Sequence, residues 1–350
     1  MKIYNHIDEF KALKNAVVTI GTFDGVHIGH QKILGRLKEL AHQTGGESVI
    51  LTFFPHPRMI LHPEDLNLKL ITSITEKAEL LTQAGIDHLI ITPFTRDFSN
   101  QSPEDYIKKV LVEKIGTKKI VVGYDHRFGK DRSGSLKDLQ EFSPAYGFEV
   151  EEISEQDVND VAVSSTQIRS ALLSGDADTA NEFLGYAFKL NGRVVRGDQL
   201  GRTLGYPTAN LFVEETYKLI PGDGIYAVLV EVDQKPEVRT RKTEVQSTKS
   251  EINSLNVTPS DLNKNNQYSI LNTQYSILKK GMGYIGSRPT INGMTRNIEV
   301  NIFDFDEDIY NQKITLHFLQ FIRPDKKFAS LEDLKVQLAK DKIKAMELIG

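Results

Sequence analysis

Two hydrophobic patterns in one chain predict an α/β domain followed by a mainly antiparallel β-barrel. Up to about residue 185, short apolar runs alternate with segments of helical period, the mark of a parallel sheet flanked by helices. From about residue 186, strand-like runs follow one another without helices between them, which predicts an antiparallel barrel or sandwich. A length of 350 residues with 39% hydrophobic content suits two such cores.

In the first half the strands are expected at Val17–Ile20, Val49–Phe54, His88–Ile91, Lys119–Val122 and Phe148–Ile153, each rich in β-branched or aromatic residues. Ile33, Leu34, Leu37 and Leu40 recur at helical spacing. Ser102-Pro103-Glu104-Asp105 reads as a helix start, with a serine cap, proline in the first turn and early acids. The domain boundary is expected near Asn181–Phe188, giving units 1–185 and 186–350. In the second half, FKLNGRVVRG, GIYAVLVEV, NIEVNIFDF and KITLHFLQFI read as strands. A last helix starts at a Ser330 cap, with Leu331, Leu334, Val336, Leu338 and Ile343 as its apolar positions. Asp233 to Gln267 is polar, without aromatic residues or a sustained period, and reads as a disordered or loosely held insertion. QYSIL occurs twice after it, at 267–271 and 274–278. One copy is expected to be a strand, with the strand after the insertion at Tyr275–Ile285.

Composition excludes several classes. There is no cysteine, so disulfides, thiolate catalysis and cysteine metal sites are absent. A net charge of −4 lacks the basic excess of a dedicated nucleic-acid binder. No apolar stretch reaches the length of a membrane span. The opening MKIYNHIDEFKAL has no apolar core of signal-peptide length, so a cytoplasmic protein is expected.

The chemistry concentrates in a few strings. GTFDGVHIGHQKIL follows the apolar run AVVTI and leads into the first helix. Gly21, Gly25 and Gly29 allow a sharp turn and close approach of the backbone to a ligand. A helix N-terminus attracts phosphate, and His27 and His30, three apart, project from one side of its first turn. They can hold a triphosphate and stabilise leaving pyrophosphate. The string is not the G-x-x-x-x-G-K-[ST] loop of P-loop enzymes. Thr52-Phe53-Phe54-Pro55-His56-Pro57 and Gly123-Tyr124-Asp125-His126-Arg127-Phe128-Gly129 each end a strand, at the sheet edge where α/β proteins bind ligands. Val163-Ser164-Ser165-Thr166-Gln167-Ile168-Arg169 offers hydroxyls, backbone N–H groups and an arginine at a second helix start, a second anion site. In Asn297–Ile302, Ile298, Val300 and Ile302 share one face, so alternation alone makes Glu299 a solvated carboxylate.

The string G-x-F-D-G-x-H-x-G-H resembles the H-x-G-H signature of the nucleotidyltransferase superfamily. With the P-H-P and GYDHRFG loops and V-S-S-T-Q-I-R, it resembles bacterial FMN adenylyltransferases. Gly197 to Leu211, containing P-T-A-N, resembles the signature of riboflavin kinases. Nearly the whole chain is thus similar to the bifunctional riboflavin kinase/FMN adenylyltransferase (FAD synthetase) family. That resemblance implies a Rossmann-like nucleotidyltransferase domain and a six-stranded kinase barrel. It implies two ATP-dependent steps with Mg²⁺, from riboflavin to FMN and from FMN to FAD, with small-molecule substrates as partners and neither nucleic acid nor membrane, and leaves the oligomeric state open. It assigns Gly21, Phe23, Gly25, His27, His30, Ser165, Thr166, Arg169, Gly197 and Arg202 to the nucleotides. Pro55, His56, Pro57, Asp125, Phe128 and Arg323 fall to the flavin, Thr208 and Asn210 to the metal, and Glu299 becomes the base for the ribityl hydroxyl. Arg196 stands where a histidine is common, Asp325 where a glutamate is expected, and the insertion after Val232 departs most. Two rival readings remain: a nucleotidyltransferase for another acceptor, and a flavin-binding protein on a dead enzyme scaffold. The P-H-P loop and kinase-like half oppose the first, and the intact set His27, His30, Arg169, Thr208, Asn210 and Glu299 opposes the second.

Overall fold

The structure, a computed structural model, describes every residue except 66–67, 124–125, 154–162, 198–199, 233–276 and 287–295. Six parallel strands form the first sheet: β1 (Lys2–Tyr4), β2 (Ala16–Ile20), β3 (Glu47–Phe53), β4 (His88–Thr92), β5 (Thr117–Gly123) and β6 (Glu149–Ile153). Their order is β1-β4-β3-β2-β5-β6. All five residues of β2 are buried, as expected of a central parallel strand covered on both faces. Ala16, Val18 and Ile20 pack with Tyr106, Ile107, Val110 and Leu111 of a π-helical segment, Tyr106–Ile115. On the other face Val17 meets Leu34, Leu37 and Leu40 of α1 (Ile28–Gln43) and Leu81 of α2 (Ile74–Gln83). The chain leaves β2 toward β3 on one side, while β5 and β6 lie on the other. The carboxyl ends of β2 and β5 therefore flank a topological switch point, where open α/β sheets place ligands.

Helix α3 (Leu136–Tyr146) precedes β6, and α4 (Ser165–Ser174) and α5 (Ala177–Leu184) lead out of the sheet unit. Their apolar residues do not stay with the sheet. Ile168, Leu172, Ala177, Ala180 and Leu184 share one core with the barrel, and Ile71 joins them. The barrel is closed by β7 (Phe188–Val195), β8 (Ala209–Phe212), β9 (Gly224–Val232), β10 (Ile277–Gly286), β11 (Asn297–Ile302) and β12 (Lys313–Arg323). Its order is β10-β11-β8-β7-β12-β9. Val228, Val230, Ile285, Ile298, Val300, Leu316 and Phe318 fill the interior.

Two strands are additions to the sequence expectation. β1 is a three-residue edge strand, and β8 begins at Ala209 within the P-T-A-N string and runs past it to Phe212. The strand after the insertion is Ile277–Gly286, so the second QYSIL copy contributes its last two residues. The first copy and the 233–267 segment lie outside the described residues. Val232 and Ile277 are direct cross-strand partners, so the chain departs and returns at one rung. The closing helix α6 (Leu331–Ile349) is capped by Ser330 as expected, but its buried face is corrected. Leu331, Val336 and Ile343 are exposed, whereas Asp341 and Ala345 are buried. The cause is Arg323 of β12, whose guanidinium forms a bidentate ion pair with Asp341 at 2.9 and 2.6 Å. That pair turns a charged position inward, while Leu338 packs inward as expected, beside Ala345, Leu348 and Ile349.

Candidate active sites

At the switch point, His27 caps α1, its Nδ1 accepting from the backbone N–H of His30 at 3.4 Å. The two imidazoles stack with centroids 3.7 Å apart. A Cβ on Gly29 would come within 3.2 Å of the His27 ring, so glycine there makes room for it. Burial pushes His27 down to about 4, against the pull of Asp24. Burial likewise drives His30 well below the ordinary histidine value, with His27 and Lys77 adding to the effect. His30 Nδ1 is buried without a hydrogen-bond partner among the described residues. Two neutral, stacked imidazoles at a helix N-terminus form a site that an incoming anion completes.

Asp24 holds this loop in place. Its carboxylate is 1% exposed and accepts from the N–H groups of Ile71 and Thr72, both at 3.1 Å. It also accepts from Arg169 Nη2 at 2.7 Å. The Asp24 carbonyl accepts from Ser165 Oγ at 3.0 Å. The Ser164 capping box starts α4, so the second anion string and the first meet through one residue. Thr166 is exposed at the same helix start. Phe23 is buried, takes a φ of 45° and lies 5.0 Å from the His30 ring. Gly21 leaves space for the Phe23 ring, since a Cβ would meet it at 3.0 Å.

His56 caps a short helix, Pro57–Leu61, after the exposed Pro55. Burial takes it to about 4, and it feels Asp24, Arg169 and Lys77. Phe128 is buried against Tyr106 and His126, at 5.2 and 5.8 Å between centroids. Asp125 lies outside the described residues.

Lys77 carries no signal in the sequence. It is 3% exposed, in the first turn of α2. Burial pushes its ammonium down to about 8, against the pull of Asp24. It therefore adds a cation to the group formed by His27, His30, His56 and Arg169. Its period on α2 gave it no distinction, because only tertiary packing buries it.

The barrel holds the second site on its outer face. Glu299 lies opposite Asn210 across β11 and β8. Its Oε2 accepts from Thr208 Oγ1 at 2.9 Å, and Oε1 accepts from Asn297 Nδ2. Gly197 has a steric reason: a Cβ there would meet the Asn210 amide at 2.3 Å. Arg202, Thr208, Asp306 and Arg196 line a cleft of about 500 Å³. Arg196 sits over the Tyr310 ring at 5.2 Å. Arg323 shares the barrel level of Glu299, along the row Arg323–Ile225–Tyr284–Glu299. Three strand spacings separate them, roughly 14 Å, and the Arg323 guanidinium is engaged by Asp341 and the Pro324 carbonyl.

A parallel sheet with a histidine-lined anion site, joined to a barrel that presents a carboxylate beside a threonine hydroxyl lining a neighbouring cleft, defines a two-centre phosphate-transferring enzyme. The FAD synthetase family profile matches residues 9–167 and the riboflavin kinase profile residues 184–349. The bifunctional riboflavin kinase/FMN adenylyltransferase of Listeria monocytogenes is 33% identical over 93% of this chain and 90% of its own. That of Escherichia coli K12 is 31% identical over 96% and 94%. The chain belongs to the bifunctional riboflavin kinase/FMN adenylyltransferase family. A crystal structure of a Streptococcus pneumoniae chain described as a macrolide-efflux protein superposes with a TM-score of 0.77 at 27% identity, covering 99% of this chain and 98% of that one. Among the described residues no helix is long and apolar enough to cross a membrane.

Proposed function

We propose that the switch-point site adenylates FMN to FAD, releasing pyrophosphate, and that the barrel cleft phosphorylates riboflavin to FMN, each using ATP. The observation that carries this division is the state of the carboxylates. The attacking group in FMN is a phosphate oxygen, already an anion, so adenylyl transfer needs alignment and charge neutralisation rather than a base. At the switch point the only carboxylate described above, Asp24, is filled by two backbone N–H groups and Arg169. In riboflavin the attacking group is a hydroxyl, which must lose a proton. The barrel supplies Glu299, which among the described residues accepts from the neutral donors Thr208 and Asn297.

In the first reaction His27, His30, Arg169 and Lys77 receive the triphosphate, with the Ser165–Thr166 helix start beside them. Phosphate entering near neutral imidazoles raises their proton affinity, so they become donors as charge builds on pyrophosphate. Pro55, Pro57 and Phe128 border the flavin side, and His56 acts with the cations. In the second reaction Glu299 takes the ribityl proton while Gly197 and Arg202 border the nucleotide. Thr208 Oγ1 and the Asn210 amide oxygen, beside Glu299, fit a hard cation that prefers oxygen ligands, with ATP phosphates completing the set. Mg²⁺ held by Thr208 and Asn210 would supply charge neutralisation for the transferring phosphoryl group. The division of labour runs 1–185 and 186–350, and the protein works in the cytoplasm, where its substrate ATP is made.

The test uses the full chain with both reactions assayed separately. His30→Ala should cut FAD formation from FMN by on the order of a hundredfold or more, the scale of one lost charge-stabilising donor. It should spare riboflavin phosphorylation. Glu299→Gln should do the reverse, with FMN formation down roughly 10²–10⁴ and FAD formation intact. Parallel loss of both reactions in either variant would reject the division.

A further inference from the structure

The segment from Lys69 to Thr72 is bonded to both halves of the molecule, residue by residue. The Lys69 carbonyl accepts from Arg169 Nε at 2.9 Å. Leu70 pairs its N–H with the Tyr217 carbonyl and its carbonyl with the Leu219 N–H, both at 2.8 Å. Ile71 donates its N–H to Asp24 at 3.1 Å, and its carbonyl accepts from Lys218 Nζ at 2.6 Å. One peptide unit further, Thr72 donates to Asp24. A strand-like tether thus has the switch-point loop on one side and the barrel half on the other.

Lys218 is the barrel half's buried, charged contact with that tether. It is 4% exposed, and besides the Ile71 carbonyl it binds Glu76 Oε2 at 2.5 Å. Its ammonium lies over the Phe188 ring, 4.5 Å from the centroid. A buried ion pair is a poor source of stability, since apolar residues of similar volume do as well or better. An apolar residue could not bind the Ile71 carbonyl. Glu76 is also the third residue of α2 and closes the Ser73 capping box, so the pair fixes the turn that carries Lys77.

We infer that Lys218, a residue of the kinase half, is a positioning residue for adenylyl transfer at the switch-point site. It acts through the Ile71 peptide on Asp24, and through Glu76 on the first turn of α2. Asp24 then sets the loop bearing His27 against Arg169. The inference rests on the assignment of adenylyl transfer to that site.

Full-length variants test it. Lys218→Met with Glu76→Gln removes both charges together, so neither is left buried alone, and glutamine can still close a capping box. The expected result is a melting temperature within a few degrees of the parent. The kcat for FAD formation should fall about tenfold or more, with KM for ATP changed less than about threefold and riboflavin phosphorylation unchanged. Lys218→Gln with Glu76→Gln, which returns an uncharged donor for the Ile71 carbonyl, should recover part of that kcat. A folded Met variant with normal FAD formation would overturn the proposal. So would a Met variant that fails to fold or loses both activities together, since the pair would then hold the fold rather than the site. His30→Ala, run alongside, separates the two levels: if it leaves FAD formation intact, the site assignment fails instead.

Discussion

The two sites differ in where their charges live. At the switch point the ionisable groups are packed inside, and burial has displaced them: His27 and His56 to about 4, Lys77 to about 8. In the barrel, the carboxylate sits on an outer strand face, presented by alternation and steadied by Thr208 and Asn297. The first site stores unfavourable electrostatics that a polyanion relieves. The second holds one basic group ready beside a cleft. The difference follows from the reactions: bringing two phosphate groups together requires cations, whereas phosphorylating a hydroxyl requires a proton acceptor.

Lys77 gives the sharpest test of that contrast. Its folded value of about 8 lies below the ordinary lysine value near 10.4. Between those values the unfolded chain binds more protons, so stability rises with pH across that window, and the charged form at pH 7 is held at a cost. Lys77→Met should therefore lower FAD formation by roughly tenfold to a hundredfold while raising the melting temperature by a few degrees. Riboflavin phosphorylation should not change. A loss of both activity and stability would make Lys77 a core residue and erase the distinction between the sites.

The histidines give a smaller, graded effect. His27 and His56 take up protons near 6.5 when unfolded but only near 4 when folded. Their contribution to stability is therefore complete above about pH 6.5, declines as pH falls toward 4, and levels off below. The melting temperature of the full chain should drop through that interval, and less so when His27 is replaced by Asn. ATP binding at the switch point should draw protons from solution near pH 6, measurable by calorimetry in buffers of different ionisation heat. Binding without proton uptake would show that the imidazoles do not meet phosphate.

What the sequence reveals about each half follows the same division. The barrel strands are legible because a half-covered strand writes its alternation into the residues, as in Ile298, Val300 and Ile302 around Glu299. The glycine and histidine spacing of the first loop is legible for a related reason, since it serves the local turn. Asp24's buried donors, Lys77 and the Lys218–Glu76 pair are not legible, because each depends on a segment far away in the chain. Asp341 shows how such a pair can mislead: Arg323 draws a charged residue into the face where Leu338 also packs, so the apolar period of α6 is only partly kept. β8 stayed hidden because its residues also serve the cleft, and β1 because three edge residues carry no period.

The smallest effect is expected where the two halves of the chain's patterning say least, at the segment between β9 and β10. Val232 and Ile277 already face each other across the ladder, so the hairpin register is set by the strands on either side. Loop-closure entropy grows only slowly with length. Replacing residues 233–276 by Asn-Gly, a two-residue turn whose twist suits a hairpin, should shift the melting temperature by no more than a few degrees. Both activities should stay within about twofold, since Asn210 and Glu299 sit on β8 and β11, with Thr208 just before β8, rather than on this hairpin's end. A selective fall in riboflavin phosphorylation with unchanged melting would tie the segment to the kinase cleft. It would also show that the outer-face site depends on more than strand register, which is the property that sets it apart from the buried one.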